Sequence, residues 1–247
     1  MLNCRYSAFW SLFFPARCCC CGTLTEDRAL ICPECLAELP HIPQDCCKRC
    51  GQSRQRCECR RINMLFSGIA VPFYNKGVAQ AGIYALKMNQ QRDNAQFFGI
   101  CIAERFLTQF KDVRLDLVTA VPMERRKYWR TGFNHAAALA KVAARRLGVP
   151  FNGRVLQKAA GSSVAQHTLS YAARMRHVQG LYTARGDLRG KTVLLVDDIR
   201  TTAATLNACT KQLLLAGANA VYCAAALLTD REENQETKSA RAKPGKG

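Results

Sequence analysis

The chain lacks an apolar run long enough to cross a bilayer. Its most apolar N-terminal stretch, SAFWSLFF at 7–14, is short, has only Arg5 before it, and enters PARCCCC without a small-residue cleavage site. Neither a membrane span nor a secretory signal is expected. Without a signal, fifteen cysteines do not read as a secreted disulfide framework, so the expectation is a reducing cytoplasm and thiols that hold metal. No repeat of fixed period is present. Acidic residues are also scarce, with 18 Asp and Glu against 36 Lys and Arg in 247 residues. Within 125–191 there are 14 basic residues and one acid, Asp187. Such an imbalance sets up a positive field that attracts phosphate, whether of a small molecule or of nucleic acid.

With 49% hydrophobic residues the chain can bury a full core. Three stretches are expected: an apolar lead and cysteine-rich module over 1–64, an α/β domain over 65–229, and a disordered polar tail over 230–247, which has nothing apolar to bury. The runs SGIAVPFY (67–74), LDLVTAVP (115–122), TVLLVDD (192–198) and AVYCAAALL (220–228) predict strands buried on both faces. Between them, Phe98, Ile102 and Phe106 fall on one helical face. So do Leu139, Val142, Ala143 and Leu147, ahead of a stop at Gly148, and Leu206 and Leu213 precede a stop at Gly217. Alternating strands and helices predict a three-layer domain around a mostly parallel sheet, with ligands bound beyond the carboxyl ends of its strands.

Eleven cysteines fall within 18–59. Cys18-x2-Cys21 and Cys32-x2-Cys35 are two knuckle-like pairs suited to tetrahedral thiolate ligation of zinc. Cys47-x2-Cys50 with Cys57-x-Cys59 supplies a second set, giving one or two structural ions. Cys19, Cys20 and Cys46 are alternative thiols in the register. A segment with so little core depends on metal to fold. Cys4, Cys101, Cys209 and Cys223 read as ordinary core or surface residues.

The segment TVLLVDDIRTTAATLNAC (192–209) runs a strand into Asp197 and Asp198 and then into a helix start. Exposed amides and the positive end of the helix dipole favour phosphate at Thr201, Thr202, Ala203, Ala204 and Thr205. Paired carboxylates would repel that phosphate, so they suit sugar hydroxyls, with a metal ion nearby easing the charge. A nucleoside-triphosphatase acid pair would need G-x-x-x-x-G-K-[ST] after another strand. The nearest string, GDLRGKT (186–192), is one residue short and precedes its strand.

VLLVDDIRTTAAT resembles the phosphoribosyl-pyrophosphate (PRPP) motif of type I phosphoribosyltransferases. With LFFPARC, ALKMNQQRD (85–93), AVPMERRKYWRTGFNHAAALA (120–140) and AQHTLSYAARMRHVQGLY (165–182), the chain resembles the ComF family of competence-related proteins, also called GntX-like. The resemblance implies a zinc module on a type I phosphoribosyltransferase-like domain. It implies that Asp197 and Asp198 hold the ribose hydroxyls of PRPP and that residues 201–205 cradle its 5-phosphate. Val121 and Pro122 would form the pyrophosphate loop, with Lys87, Arg125 and Arg126 near the leaving group. Mg²⁺ would bridge pyrophosphate and ribose oxygens. Pyrophosphate would be displaced from the anomeric carbon through an oxocarbenium-like state, stabilised by positive charge on the leaving group; the acceptor is unspecified.

The chain departs from the family pattern in places. Ala203 stands where glycine is usual, and Thr131-Gly132-Phe133-Asn134-His135 replaces R-G-F-N-Q, with Arg130 one position early. No acid occupies position 201, which argues against purine salvage. A second reading is a cytoplasmic module for DNA uptake that holds single strands, alongside other DNA-uptake proteins, with PRPP as regulator or relic. Arg125, Arg126, Lys127 and Arg130 would hold its phosphates, Tyr128, Trp129 and Phe133 would stack bases or else anchor a loop, and Arg174 and Arg176 are further basic candidates. His135 and His167 pair with no evident acid or metal ligand.

Overall fold

Valine- and leucine-rich runs make buried strands because they leave no polar side chain to satisfy on either face. In a computed structural model, which describes residues 16–57, 59–88, 94–158 and 181–229, the four predicted runs assemble one parallel sheet. In chain order, α1 (Pro33–Ala37) lies in the cysteine-rich part, followed by β1 (Gly68–Ala70), β2 (Phe73–Tyr74), α2 (Gly77–Met88), α3 (Asn94–Gln109) and β3 (Leu117–Ala120). Then come α4 (Arg125–Thr131), α5 (His135–Leu147), β4 (Leu156–Lys158), β5 (Tyr182–Ala184), β6 (Thr192–Arg200), α6 (Ala204–Leu215) and β7 (Ala220–Leu228). The run at 67–74 is broken into β1 and β2 at Val71 and Pro72, as expected where proline cannot donate to a ladder.

The order is β1-β7-β6-β3, with β2 also on β7 and every pairing parallel. Registers such as Leu117↔Val193 and Val193↔Val221 align the carboxyl ends of β3 and β6. Alternation along β6 divides the core. Leu194 and Val196 join α2, α3 and α5 on one face, while Val193 and Leu195 join α6 on the other. Full burial of each such leucine is worth roughly 1.5–3 kcal/mol. Gly99 lets α3 and α5 approach, since a Cβ there would lie 2.6 Å from Val142 Cβ. The stop at Gly148 is realised as a left-handed cap on α5, whose N–H reaches back to Ala144 and Arg145.

The cysteine-rich part is built into this core. Cys18, Cys32 and Cys35 pack with the helices of the first face, and Cys46, Cys50, Ile62 and Met64 with the second. It also covers the sheet edge: Ile69 N–H donates to the Lys48 carbonyl (2.9 Å), Tyr74 N–H to Pro40 (2.8 Å) and Ile42 N–H to Pro72 (2.9 Å). β4 and β5 form a small antiparallel pair, with Lys158 opposite Tyr182. Among the described residues, no helix is long and apolar enough to cross a membrane.

Candidate functional site

The carboxyl ends of β3 and β6 meet α2 from one side and α6 from the other. Val121 leaves β3 with its N–H on the Val196 carbonyl (2.9 Å). One residue further along β6, Asp197 and Asp198 are half-buried, and each accepts from the next amide: Asp198 N–H to Asp197 Oδ1 at 2.9 Å and Ile199 N–H to Asp198 Oδ1 at 2.7 Å. Lys87, in the last turn of α2, places Nζ 2.9 Å from Asp198 Oδ2. The residue expected near a leaving group therefore lies at the acid pair. Burial, and then the adjacent Asp198 carboxylate, push Asp197 up to about 7, against the lowering effect of the Asp198 amide, Lys87 and Lys127.

Beyond β6 the chain turns through Thr201 and Thr202 into Ala203, which takes φ +59°, ψ −2° immediately before α6. Ala203 is the one residue of this loop in the left-handed region, and its buried methyl packs in the second face of the core. Asp197, Arg200, Thr201, Thr202, Ala203 and Thr205 line a small cavity open to solvent here. A small open cavity thus lies between an acid pair and a helix N-terminus.

Three contributors were not anticipated. Tyr182 of β5 is buried in the second face of the core, and burial, against a lowering effect of the Thr205 side chain, raises its phenol. Lys158, its cross-strand partner, reaches Glu124 at 3.9 Å beside the loop after β3. Arg200 is buried at the cavity wall. Only Arg200 carried a signal, as a charge inside VLLVDDIRTTAAT; the β4–β5 pair is too short and polar to register as strands.

On α4, Arg126, Lys127, Tyr128, Trp129 and Arg130 are exposed, Trp129 at 84%. Arg125 opens this helix. Phe133, expected among the stacking rings, is instead 9% exposed and lies edge-on to His135 at 4.9 Å. Its place after the αL cap at Gly132 turns it into the core. Arg174, Arg176 and His167 lie outside the described residues.

The structure also gathers the eight cysteines expected to bind metal. The sulfurs of Cys18, Cys21, Cys32 and Cys35 lie within 4.8 Å of one another, as do those of Cys47, Cys50, Cys57 and Cys59. Four thiols converging in this way have the donor set of a structural zinc ion. Burial works against ionisation, yet amide hydrogen bonds from Cys21, Cys32 and Cys20 bring Cys18 down to about 6, and those of Cys50 and Arg49 bring Cys47 down to about 7. By contrast, burial raises the core thiols Cys209 and Cys223 and the half-buried Cys101.

Comparison with known proteins agrees with both halves of this architecture. Residues 9–62 match the double zinc ribbon domain, and residues 134–246 match the phosphoribosyl transferase domain. The DNA utilization protein YhgH of Salmonella typhimurium is 25% identical over 207 residues, covering 83% of this chain and 86% of that one. YhgH of Escherichia coli K12 is 25% identical over 209 residues, with the same coverage. The chain is thus a homologue of YhgH that joins a double zinc ribbon to a phosphoribosyl transferase domain. Among solved structures, glutamine PRPP amidotransferase from B. subtilis is similar at 22% identity and TM-score 0.37, over 61% of this chain and 28% of that one. The zinc ribbon match takes in both cysteine groups, and the phosphoribosyl transferase match takes in the β6–α6 turn.

Proposed function

We propose that the chain binds PRPP together with Mg²⁺ at the β6–α6 turn and transfers or senses phosphoribosyl groups in the handling of incoming DNA. The observation that carries this reading is the acid pair with its attendant lysine: Asp197, Asp198 and Lys87 converge at the strand end that opens onto the α6 N-terminus. In this reading the carboxylates accept hydrogen bonds from the ribose hydroxyls, and the amides and hydroxyls of residues 201–205 hold the 5-phosphate. Lys87 and the basic start of α4 hold pyrophosphate, and Val121 and Pro122 shape its loop. Mg²⁺, held with PRPP beside Asp197 and Asp198, would supply neutralising charge to the pyrophosphate. Pyrophosphate then departs from the anomeric carbon as an acceptor nucleophile attacks, and positive charge on the leaving group carries the catalysis. Similarity to a DNA utilization protein supports the biological setting.

A second reading concerns nucleic acid directly. Exposed Trp129 and Tyr128 among Arg126, Lys127 and Arg130 on α4 favour a strand stacking beside the same cleft, with phosphates on the basic residues. The two readings separate on one double variant. Asp197→Asn with Asp198→Asn abolishes PRPP binding and leaves single-stranded DNA binding intact or stronger. Joint collapse of both affinities in folded protein contradicts separate roles. The division at 64 and 229, and a cytoplasmic location, belong to the same proposal.

A further inference from the structure

His135 is the first residue of α5 and is 1% exposed. Neither ring nitrogen has a hydrogen-bond partner among the described residues. A buried polar group left in that state is costly and calls for a role. Its place is fixed from both sides: the Asn134 side chain donates to the Val121 carbonyl (3.0 Å) and caps α5 through the Ala137 amide, while the Phe133 ring lies against the imidazole. Three charged groups act on it, one from each neighbouring element: Asp198 of β6, Lys87 of α2 and Lys127 of α4. They are the charges that a bound polyphosphate would rearrange.

We infer that His135 is the proton-coupled element of the anion site, neutral in the free protein and charged when a pyrophosphate group occupies the cleft. This rests on the reading of the β6–α6 turn as a PRPP site. In the free protein burial, helped by Lys87 and Lys127, lowers the imidazole and holds it neutral, against the pull of Asp198. Lys87 is engaged by Asp198 at 2.9 Å, which offsets much of that pull. When pyrophosphate draws Lys87 and Lys127 to itself, their charge is compensated and the pull of Asp198 on the imidazole is left unopposed. The histidine then takes one proton from solvent, without touching the ligand. The proton adds a positive charge within the electrostatic reach of Asp198 and Lys87, which an uncharged side chain at this position would not.

The test follows the ring directly. The full zinc-loaded chain is labelled with ¹⁵N-histidine and titrated near neutral pH with inorganic pyrophosphate and Mg²⁺. Only four histidines are present, and His135→Gln assigns the resonances; if that variant fails to fold, substituting the other three in turn does so. The two ring nitrogens are expected to start at the well-separated shifts of a neutral imidazole and converge to those of an imidazolium as pyrophosphate saturates. Calorimetry in two buffers of different ionisation enthalpy should report greater proton uptake for wild type than for His135→Gln. Saturable binding with His135 still neutral overturns this inference and leaves the site reading standing. Absence of pyrophosphate binding to folded protein overturns both.

Discussion

Lys87 Nζ lies 2.9 Å from Asp198 Oδ2, tying the last turn of α2 to the carboxyl end of β6. Both side chains are largely shielded from solvent, so the pair is stronger than a surface ion pair. Lys87→Met leaves Asp198 without its cation. Charge-assisted hydrogen bonds contribute about 1.5–3 kcal/mol, so binding of PRPP with Mg²⁺ should weaken roughly 10- to 100-fold in a folded protein, as read by calorimetry. Wild-type affinity in this variant would remove Lys87 from the site.

Asp197 gives the site a pH dependence. Its carboxyl is raised in the folded chain from 3.8 to about 7, so folding retains a proton across that interval. The stability it contributes is fully present below the ordinary carboxyl value and fades as pH rises through about 7. Ligand binding runs the opposite way, because sugar hydroxyls are held by the ionised acid. Ionisation of Asp197 favours PRPP as pH rises through neutrality and opposes the proton uptake at His135, so Asp197→Asn should shift the affinity profile toward lower pH and remove the loss of apo stability, read by calorimetry and thermal unfolding across pH.

Ala203 holds a left-handed conformation that costs an L-residue about 1–2 kcal/mol. Ala203→Gly removes that strain and loses a small buried methyl, so unfolding free energy should rise by up to about 1 kcal/mol. Ala203→Val, β-branched at positive φ, should destabilise by about 2 kcal/mol or more. If valine is as stable as alanine in denaturant melts, the turn is not in the left-handed region.

Both cysteine groups pack into the two halves of the sheet's core, so metal loss should propagate. Chelation is expected to lower the melting transition of the entire chain, and metal analysis should return two zinc ions per chain. Cys32→Ala or Cys50→Ala should each remove one ion and destabilise the α/β sheet along with the ribbon. Selective melting of the ribbon with the sheet unchanged would contradict this coupling.

Trp129→Ala tests the strand-binding reading. At 84% exposure the ring contributes little to stability, so unfolding should shift by less than about 0.5 kcal/mol. Single-stranded DNA affinity should fall by about 1–3 kcal/mol, read by fluorescence anisotropy at fixed salt. Unchanged affinity would take α4 out of the interface.

Much of the sheet was legible because β3, β6 and β7 are continuous apolar runs whose burial on both faces leaves a plain imprint, and Gly148 marked the end of α5 through the conformation it had to adopt. The acid pair was legible as two adjacent carboxylates at a strand end. Tyr182 and Lys158 were not, since the strands carrying them are three residues long and half polar, and their meeting with Thr205 and Glu124 arises only from tertiary folding. His135 read as a polar residue without a partner. Sequence alone could not bring it within the electrostatic reach of Asp198, Lys87 and Lys127, which arises only from tertiary folding. Phe133 was misassigned because a ring flanked by basic residues in sequence turns inward after the Gly132 cap.

The most direct test is calorimetric titration of the zinc-loaded chain with PRPP and Mg²⁺, repeated on the Asp197→Asn, Asp198→Asn double variant. Saturable binding to wild type that disappears in a folded variant is the predicted result. No binding to folded wild type, or equal binding to both proteins, would contradict the assignment of the β6–α6 turn as the PRPP site.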